Sequence, residues 1–345
     1  MDTEIHQRYS RQILFAPIGK AGQLKLLQSK AVIVGMGALG TVLANHMVRA
    51  GVGFVRIIDR DFVEESNLQR QMLYDEEDAR AHLPKAVAAA AKLQKINSTV
   101  TVEPIVADLN ATNAEAYLTG FDLILDGSDN FQVRYLVNDV AVKHRIPWIH
   151  GAAVSSKGMF AVIRPGETPC YRCLFPHPPE GRTETCDTTG VIGPIVHVIA
   201  SYQAVEALKL LLGATQQQNP NLEQFELWQN DHLQINIANG KNANCPACGQ
   251  GIFEYLDLTA PAQQEFTSLC GRDTVQITPI QPKQVDLEAL SRRFEQLGTV
   301  EKNPFLLRFH IDSYTLVFFK DGRVLVQGSQ DISTARSLYA KYVGY

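Results

Sequence analysis

Four cysteines stand as two pairs, Cys170-x-x-Cys173 and Cys245-x-x-Cys248, the second inside Cys-Pro-Ala-Cys-Gly. Their number and spacing are those a tetrahedral Zn²⁺ takes. Four sulfur ligands leave no open position for a substrate water, so such a zinc is structural. With the pairs far apart in sequence, it would staple a long connection to the end of its domain. Two separate redox pairs are the alternative. Redox Cys-x-x-Cys motifs open a helix after a strand, and neither pair here has that setting. Cys186 stands apart in Thr185-Cys186-Asp187-Thr188-Thr189-Gly190. In an exposed loop just before the apolar segment Val191 to Leu212, the N-terminus of that helix would favour its thiolate. The other reading is a buried structural thiol. Cys270 has no partner at metal spacing.

A second set of residues able to do chemistry begins with Gly35, Gly37 and Gly40, a G-x-G-x-x-G turn directly after the apolar run Ala31 to Val34. Glycines at this spacing permit a tight turn, close approach of a phosphate and close packing of the following helix. Asp59 ends the next strand, where a ribose hydroxyl needs an acceptor. Asn67-Leu68-Gln69-Arg70-Gln71 and Lys85 then add polar and cationic groups that a dinucleotide does not need and a triphosphate does. Arg70 and Lys85 suit phosphoryl or nucleotidyl transfer, which requires cations where charge builds on phosphates. Their other reading is two solvated surface charges. Asp129 offers a carboxylate suited to Mg²⁺, and the competing role is a helix cap supplied by Asp129 or Asn130.

The elements that must position these groups read as a βαβ rhythm. Ala31 to Asp59 is strand, turn, helix and strand, its helix carrying Leu39, Leu43, Met47 and Ala50 on one face and stopping at Gly51. Ala21 to Leu27 is a helical lead-in. Pro84 reads as the first position of a helix through Ile96, and Val100 to Ala107 as a strand. Phe121 to Asp126 is a strand, Phe131 to Arg145 a helix and Ile146 to His150 the next strand. Asp126 and Asp129 thus fall at a strand's carboxyl end, where open α/β sheets bind ligands. Met159 to Ile163 and Leu233 to Ile237 are further strands, with loop chemistry in the connection between them from Pro176 through Thr185. The fold class is α/β, a Rossmann-like doubly wound, mostly parallel sheet in residues 1–254, with an added small α+β domain in residues 255–345. That second domain reads as a strand near Val275, a helix from Asp286 to Leu297, and strands Phe305 to Ile311 and Tyr314 to Lys320. An Asp321-Gly322 turn, strand Arg323 to Val326 and a last helix complete it.

The bounds agree. The chain of 345 residues, 45% of them apolar, has room for two domains with a sizeable core. Lys plus Arg number 32 against 36 for Asp plus Glu, so no basic surplus marks a nucleic-acid binder. The N-terminal stretch has no apolar core of an export signal. Val191 to Leu212 is interrupted by His197, Ser201, Gln203, Glu206 and Lys209, which reads as a buried or interface helix, not a membrane span. Metal-spaced thiols fit a reducing compartment, the cytoplasm.

Taken together, these motifs make the chain similar to the ThiF/MoeB/HesA family of ubiquitin-activating-type adenylyltransferases. The resemblance covers about residues 5–250 and also takes in Tyr9-Ser10-Arg11-Gln12, Asp126-Gly127-Ser128-Asp129-Asn130 and Gly190-Val191. It implies a homodimer that uses ATP to adenylylate the C-terminal Gly-Gly tail of a small ubiquitin-like sulfur carrier, of the thiamin or the molybdopterin pathway. The carboxylate attacks the α-phosphate and pyrophosphate leaves. Matching positions imply that Asp59 holds the ribose, Arg70 and Lys85 the phosphates and Asp129 the Mg²⁺. They also imply that Arg11 reaches the neighbouring subunit's ATP, and that Cys186 stands where some members link to the activated carrier. Gly35, Gly37, Gly40, Asn67 and Gln71 complete the nucleotide site, and the zinc ligands are Cys170, Cys173, Cys245 and Cys248. No rhodanese-like loop follows residue 255, so sulfur would come from another protein, such as a cysteine desulfurase. The competing readings are an NAD-dependent dehydrogenase, a zinc-stabilised binding module, and a relative adenylating a different peptide or a tRNA.

Overall fold

The computed structural model describes residues 7–179, 186–257, 266–269, 273–279 and 284–343. By internal contacts the chain forms two units, one within Met1–Thr183 and Val191–Asp257, the other within Glu184–Gly190 and Leu258–Tyr345.

The first unit is built on an eight-stranded sheet. Its strands are β1 (Lys30–Val34), β2 (Phe54–Asp59), β3 (Thr101–Val106), β4 (Leu123–Asp126), β5 (Trp148–Val154), β6 (Lys157–Ile163), β7 (Asn221–Glu226) and β8 (Asp231–Asn236), in the order β3-β2-β1-β4-β5-β6-β7-β8. Strands β3 to β5 of that row are parallel, and β6, β7 and β8 add on antiparallel. The main helices are α1 (Gly19–Gln28), α2 (Ala38–Ala50), α3 (Lys85–Ile96), α4 (Phe131–His144) and α5 (Gly193–Leu212). Strand residues alternate between two cores, as the period of two requires. Ala31, Ile33, Val55, Ile57, Leu123 and Leu125 pack with Leu43, Met47, Leu93, Ile195 and Ile199. Val32, Val34, Ile58 and Ile124 pack on the other face with Leu118, Tyr135, Leu136 and Val140. The sheet is therefore doubly wound, and its strand order reverses between β1 and β4, the crevice where such sheets bind ligands.

Register brings three turns to one edge. Val34 lies opposite both Ile58 and Asp126, so Gly35 and Gly127, which follow β1 and β4, stand level with Asp59, the last residue of β2. Gly35 has φ +87°, and a Cβ on it would lie 2.8 Å from the Gly127 carbonyl oxygen. A Cβ on Gly127 would in turn lie 2.8 Å from the Cα and N of Gly40, and one on Gly40 would overlap the Gly35 carbonyl. Three backbones touch where any side chain would separate them.

Helix α5 is the one element among the described residues long and apolar enough to cross a membrane by length and composition. It buries Ile195, Val196, Ile199, Ala200, Gln203, Ala204, Glu206 and Ala207, as the polar interruptions foretold. Several local expectations are corrected. Pro84 is the N-cap of α3 and Lys85 its first residue, because the Pro84 ψ of 134° is extended. Of the two residues offered as the cap of α4, Asn130 is the one that serves, as expected of the pair: its Oδ1 accepts from Gln132 N at 2.8 Å and Val133 N at 3.4 Å. Cys186 opens a short helix, Cys186–Thr189, instead of lying in a loop, while residues 180–185 of that connection fall outside the described residues, as does Cys270. Strand β7, with its polar sequence Asn-Leu-Glu-Gln-Phe-Glu, was not foreseen.

In the second unit, β9 (Phe266–Leu269), β10 (Thr274–Ile277), β11 (Thr299–Lys302), β12 (Leu306–Ile311), β13 (Tyr314–Phe319) and β14 (Val324–Gln327) form an antiparallel sheet in the order β11-β12-β13-β14-β10-β9. Helices α6 (Leu287–Phe294) and α7 (Ile332–Tyr342) are capped by Asp286 and Asp331. Leu307, Phe309, Leu316, Phe318, Val324 and Val326 form its core with Phe294, Ala335 and Tyr342. Strands β9 and β11 add to the sequence reading.

Two measurable consequences follow from the packing of the first unit. Gly127→Ala is expected to cost roughly 2 kcal/mol or more, because the new methyl meets backbone that cannot turn aside. The urea midpoint of the first unit's transition would fall, and an unchanged midpoint would refute the three-glycine contact. The second concerns Asp139 of α4, which is fully buried and accepts from Tyr255 N at 3.0 Å, with Tyr255 stacked on Tyr135 at 4.9 Å. Burial pushes the Asp139 carboxyl up to about 6. The folded chain then holds a proton that the unfolded chain has released, so this group's contribution to stability falls as pH rises from about 4 to about 6. Melting temperatures of Asp139→Asn across that range should lack this decline; equal slopes in variant and wild type would contradict it.

Candidate active site and metal centre

The glycine turn is held from below by carboxylate and hydroxyl groups. Asp59 accepts from Met36 N at 2.6 Å through one oxygen and from Asp61 N at 2.7 Å through the other. Burial pushes its carboxyl up, against the pull of Lys85 and these two donors. The buried Tyr74 hydroxyl lies 2.7 Å from the Met36 carbonyl and 3.1 Å from that of Lys85, joining the turn to the start of α3. The Gly37 Cα has open space beside it: the nearest atom to a Cβ there is Gln71 Nε2 at 3.9 Å. Gln71 is itself buried, and its Oε1 has no partner in the described structure. An orphaned amide oxygen beside an open phosphate-binding turn fits a nucleotide hydroxyl or amine.

Lys85 is 4% exposed and stands at the first position of α3. Burial disfavours an ammonium, and a helix N-terminus repels it. Its ion pair with Asp61 is long, 3.5 Å from Nζ to Oδ2. A cation kept there against both penalties is suited to an anion that enters later. Arg70 is partly exposed and uses one guanidinium nitrogen on the Ser66 carbonyl at 2.9 Å, leaving other donors for a ligand. Asn67 is buried and closes a capping box with Glu64, which shapes the turn carrying Arg70 and Gln71. Asp129 is exposed beyond β4 and is not used as a cap.

Arg11 does not join this group. Its neighbours are anchored at the far end of α2, where the Tyr9 hydroxyl accepts from Asn97 Nδ2 at 2.8 Å and Gln12 Nε2 donates to the Ala50 carbonyl at 2.9 Å. The glycine turn is at the other end of that helix, about 20 Å away for its 13 residues. Arg11 itself is exposed.

The four metal-spaced cysteines do meet. Their Sγ atoms all lie within 4.8 Å of one another, with Cys170–Cys173 at 3.8 Å, Cys170–Cys245 at 3.6 Å and Cys173–Cys248 at 3.4 Å. Zn–S bonds of about 2.3 Å arranged tetrahedrally place sulfurs about 3.8 Å apart, so the cluster is compatible with zinc. A hydrogen bond from Cys170 pulls the Cys173 thiol down to about 4, and Asn242 N also donates to that sulfur at 3.5 Å.

Sequence reasoning missed a buried network behind Asp129. Asp126 Oδ1 accepts from Ser128 N at 2.9 Å and Ser128 Oγ at 2.7 Å, while Oδ2 accepts from Arg134 Nε at 3.2 Å and His150 Nδ1 at 2.9 Å. Burial raises the Asp126 carboxyl, but the Arg134 guanidinium and the His150 bond outweigh it and hold it below the usual range. Burial keeps His150 below its ordinary value. Arg60 was missed as well, beside Asp108 at 3.1 Å and Asp61 at 3.8 Å. An arginine eight residues after a strand-ending aspartate, one helix turn into α4, was the available signal for Arg134.

Comparison with known proteins agrees with this geometry. Residues 9–247 match the ThiF family. The chain is 46% identical over 338 residues to a Bacillus subtilis protein named sulfur carrier protein ThiS adenylyltransferase, covering 98% of this chain and 99% of that one. It is 38% identical over 273 residues to the Thermus thermophilus sulfur carrier protein adenylyltransferase, covering 76% and 96%. A crystal structure of E. coli MccB with ATP, 24% identical with a TM-score of 0.62, shares the fold across 72% of this chain and 77% of that one. Glycine turn, level strand ends, buried Lys85 and converging thiols thus coincide with a match across more than half the chain, and the protein belongs to the ThiF family.

Proposed function

We propose that the protein adenylylates the C-terminal glycine carboxylate of a small ubiquitin-like sulfur-carrier protein, releasing pyrophosphate. The observation that carries this reading is Lys85, a cation buried at a helix N-terminus beside an open glycine turn. The attacking carboxylate is already ionised, so no enzyme base is needed. The obstacle is charge: two anions brought to 4 Å at an effective dielectric of 20 repel by about 4 kcal/mol. Lys85 and Arg70 offset that repulsion, Asp59 and Gln71 orient the nucleoside, and Asn67 holds their turn in shape. Asp129 would hold Mg²⁺, which when bound neutralises phosphate charge. A dehydrogenase reading gives Lys85, Asp129 and the four thiols no role.

The remoteness of Arg11 from its own turn supports a homodimer in which it serves the partner's nucleotide. The 46% identity to a protein named for ThiS, over nearly the whole chain, favours a thiamin-pathway carrier over a molybdopterin-pathway one. A separate sulfur donor such as a cysteine desulfurase supplies the sulfur, and Cys186 acts after adenylylation. The cysteine cluster holds one structural zinc that ties the segment around Cys245 to the short helix Tyr171–Leu174, and metal-spaced thiols of this kind favour a reducing compartment such as the cytoplasm.

Pyrophosphate exchange into ATP tests the reading. Exchange should require both a Gly-Gly-tailed carrier and Mg²⁺, and Lys85→Ala should lose roughly a hundredfold in rate, about 3 kcal/mol, while staying folded. Arg11→Ala and Lys85→Ala chains, each impaired alone, should recover part of the activity when mixed. Wild-type rates in folded Lys85→Ala would overturn the assignment of charge neutralisation, and no recovery on mixing would overturn the shared site. Zinc is tested by metal analysis after chelator washing. About one zinc per chain is expected in the wild type and little in Cys245→Ser, with lower melting temperature, since structural zinc sites contribute on the order of 10 kcal/mol. A stable native protein with almost no zinc would count against it.

A further inference from the structure

The loop that carries Asp129 is fixed by a buried charge pair. Arg134, Asp126 and His150 are 5%, 1% and 1% exposed. Their bonds converge on Ser128, the residue before Asp129. Its N–H and its hydroxyl go to Asp126 Oδ1, and its carbonyl accepts from Arg134 Nη2 at 2.7 Å. Both backbone groups of one residue are thus held by opposite charges on the same ion pair. The pair is anchored in turn. Arg134 Nη2 reaches the Gly151 carbonyl at 3.4 Å, and Gln203 Nε2 of α5 donates to the Asp126 carbonyl at 2.9 Å and to that of Ile149 at 3.2 Å. Asp126 is ionised, so His150 Nδ1 must be the donor of their shared bond, with Tyr171 packed edge-on against the ring at 4.9 Å.

A buried pair of this kind contributes little net stability relative to apolar packing, because desolvation offsets the attraction. What it does supply is direction. We propose that Arg134 and Asp126 are positioning residues that fix the Ser128 backbone, so that the Asp129 carboxylate is presented to a divalent cation on the nucleotide. The inference rests on the adenylyl-transfer reading and deepens it. A carboxylate meets a cation productively only when held to within a fraction of an ångström, and Asp129 is exposed, caps no helix, and has the Arg60 guanidinium as an electrostatic neighbour. Asn130 caps the next helix on one side and Gly127 is locked between Gly35 and Gly40 on the other. Ser128 is the link of this loop whose backbone N–H and carbonyl are both bonded to charged side chains.

The test uses the full-length protein with Arg134→Lys, which keeps the charge and loses the forked donors, and with Ser128→Ala, which removes only the hydroxyl bond. Two readouts do not depend on turnover. In the absence of nucleotide, amide exchange at Ser128 should rise about tenfold or more in Arg134→Lys, with peptides from α2 and β1 unchanged. With a non-hydrolysable ATP analogue bound, Mn²⁺ affinity measured by electron paramagnetic resonance should fall about tenfold in Arg134→Lys and less in Ser128→Ala, whereas affinity for the metal-free analogue should stay within about twofold. Unchanged Ser128 exchange and unchanged Mn²⁺ affinity in a folded Arg134→Lys protein would overturn the proposal. If Arg134→Lys fails to fold, Ser128→Ala decides by the same two measurements. A wild-type protein that binds neither the analogue nor Mn²⁺ would instead overturn the adenylyl-transfer reading, a result distinguishable from loss in the variants alone.

Discussion

The contact among Gly35, Gly40 and Gly127 is the constraint from which the rest of the first unit follows. It brings the end of β1, the start of α2 and the end of β4 together at distances that any Cβ would forbid. Because β1, β2 and β4 are in level register, that contact also sets where Asp59 and the loop after Asp126 can lie. The α2 amides and the space beside Gly37 then face the same crevice. Hydrophobic burial stabilises the sheet, but it would tolerate small shifts of one layer on another. Backbone on backbone does not.

The charged groups around this contact divide by what stabilises them. Asp126 and Arg134 satisfy one another and the loop's backbone, so their charges are used up within the fold. Lys85 is the opposite case. It is nearly buried, opposed by its helix dipole, and faces the Asp61 carboxylate at 3.5 Å with Asp59 nearby. The Tyr74 hydroxyl lies within bonding distance of both the Lys85 carbonyl and the glycine turn, so the backbone at Lys85 is tied to the turn by neutral groups. The site is thus a rigid frame carrying a buried cation that an entering anion can meet.

The cysteine cluster works on a different scale. Its pairs are separated by α5 and two strands, and between them they fasten the start of one connection to the end of the unit. From there Arg172 meets Glu254 at 2.9 Å, and Tyr255 stacks on Tyr135 of α4, so the last residues of the unit return to the helix that begins just beyond Asp129. The cysteine cluster, the aromatic stack and buried Asp139 together fix the outer side of α4, whose first turn carries Arg134.

Much of this was legible in the sequence because it depends on local chemistry. Glycine spacing, an aspartate at a strand end, two Cys-x-x-Cys pairs and the alternation of apolar runs are properties of short segments, and they sufficed for the parallel sheet and for the zinc-compatible cluster. Polar interruptions in Val191 to Leu212 likewise identified a core helix by the cost of placing Glu206 and Gln203 in lipid. Other features had no local signature. Strand β7 is polar and is a strand only because β6 and β8 pair with it on both sides. Which of Asp129 and Asn130 caps α4 depended on backbone angles that either residue could adopt. That Lys85 is buried, that Arg11 lies a helix length from its own glycine turn, and that Asp126, Arg134 and His150 meet were all decided by tertiary packing. These residues come from different strands and helices, and only the assembled sheet brings their atoms within reach.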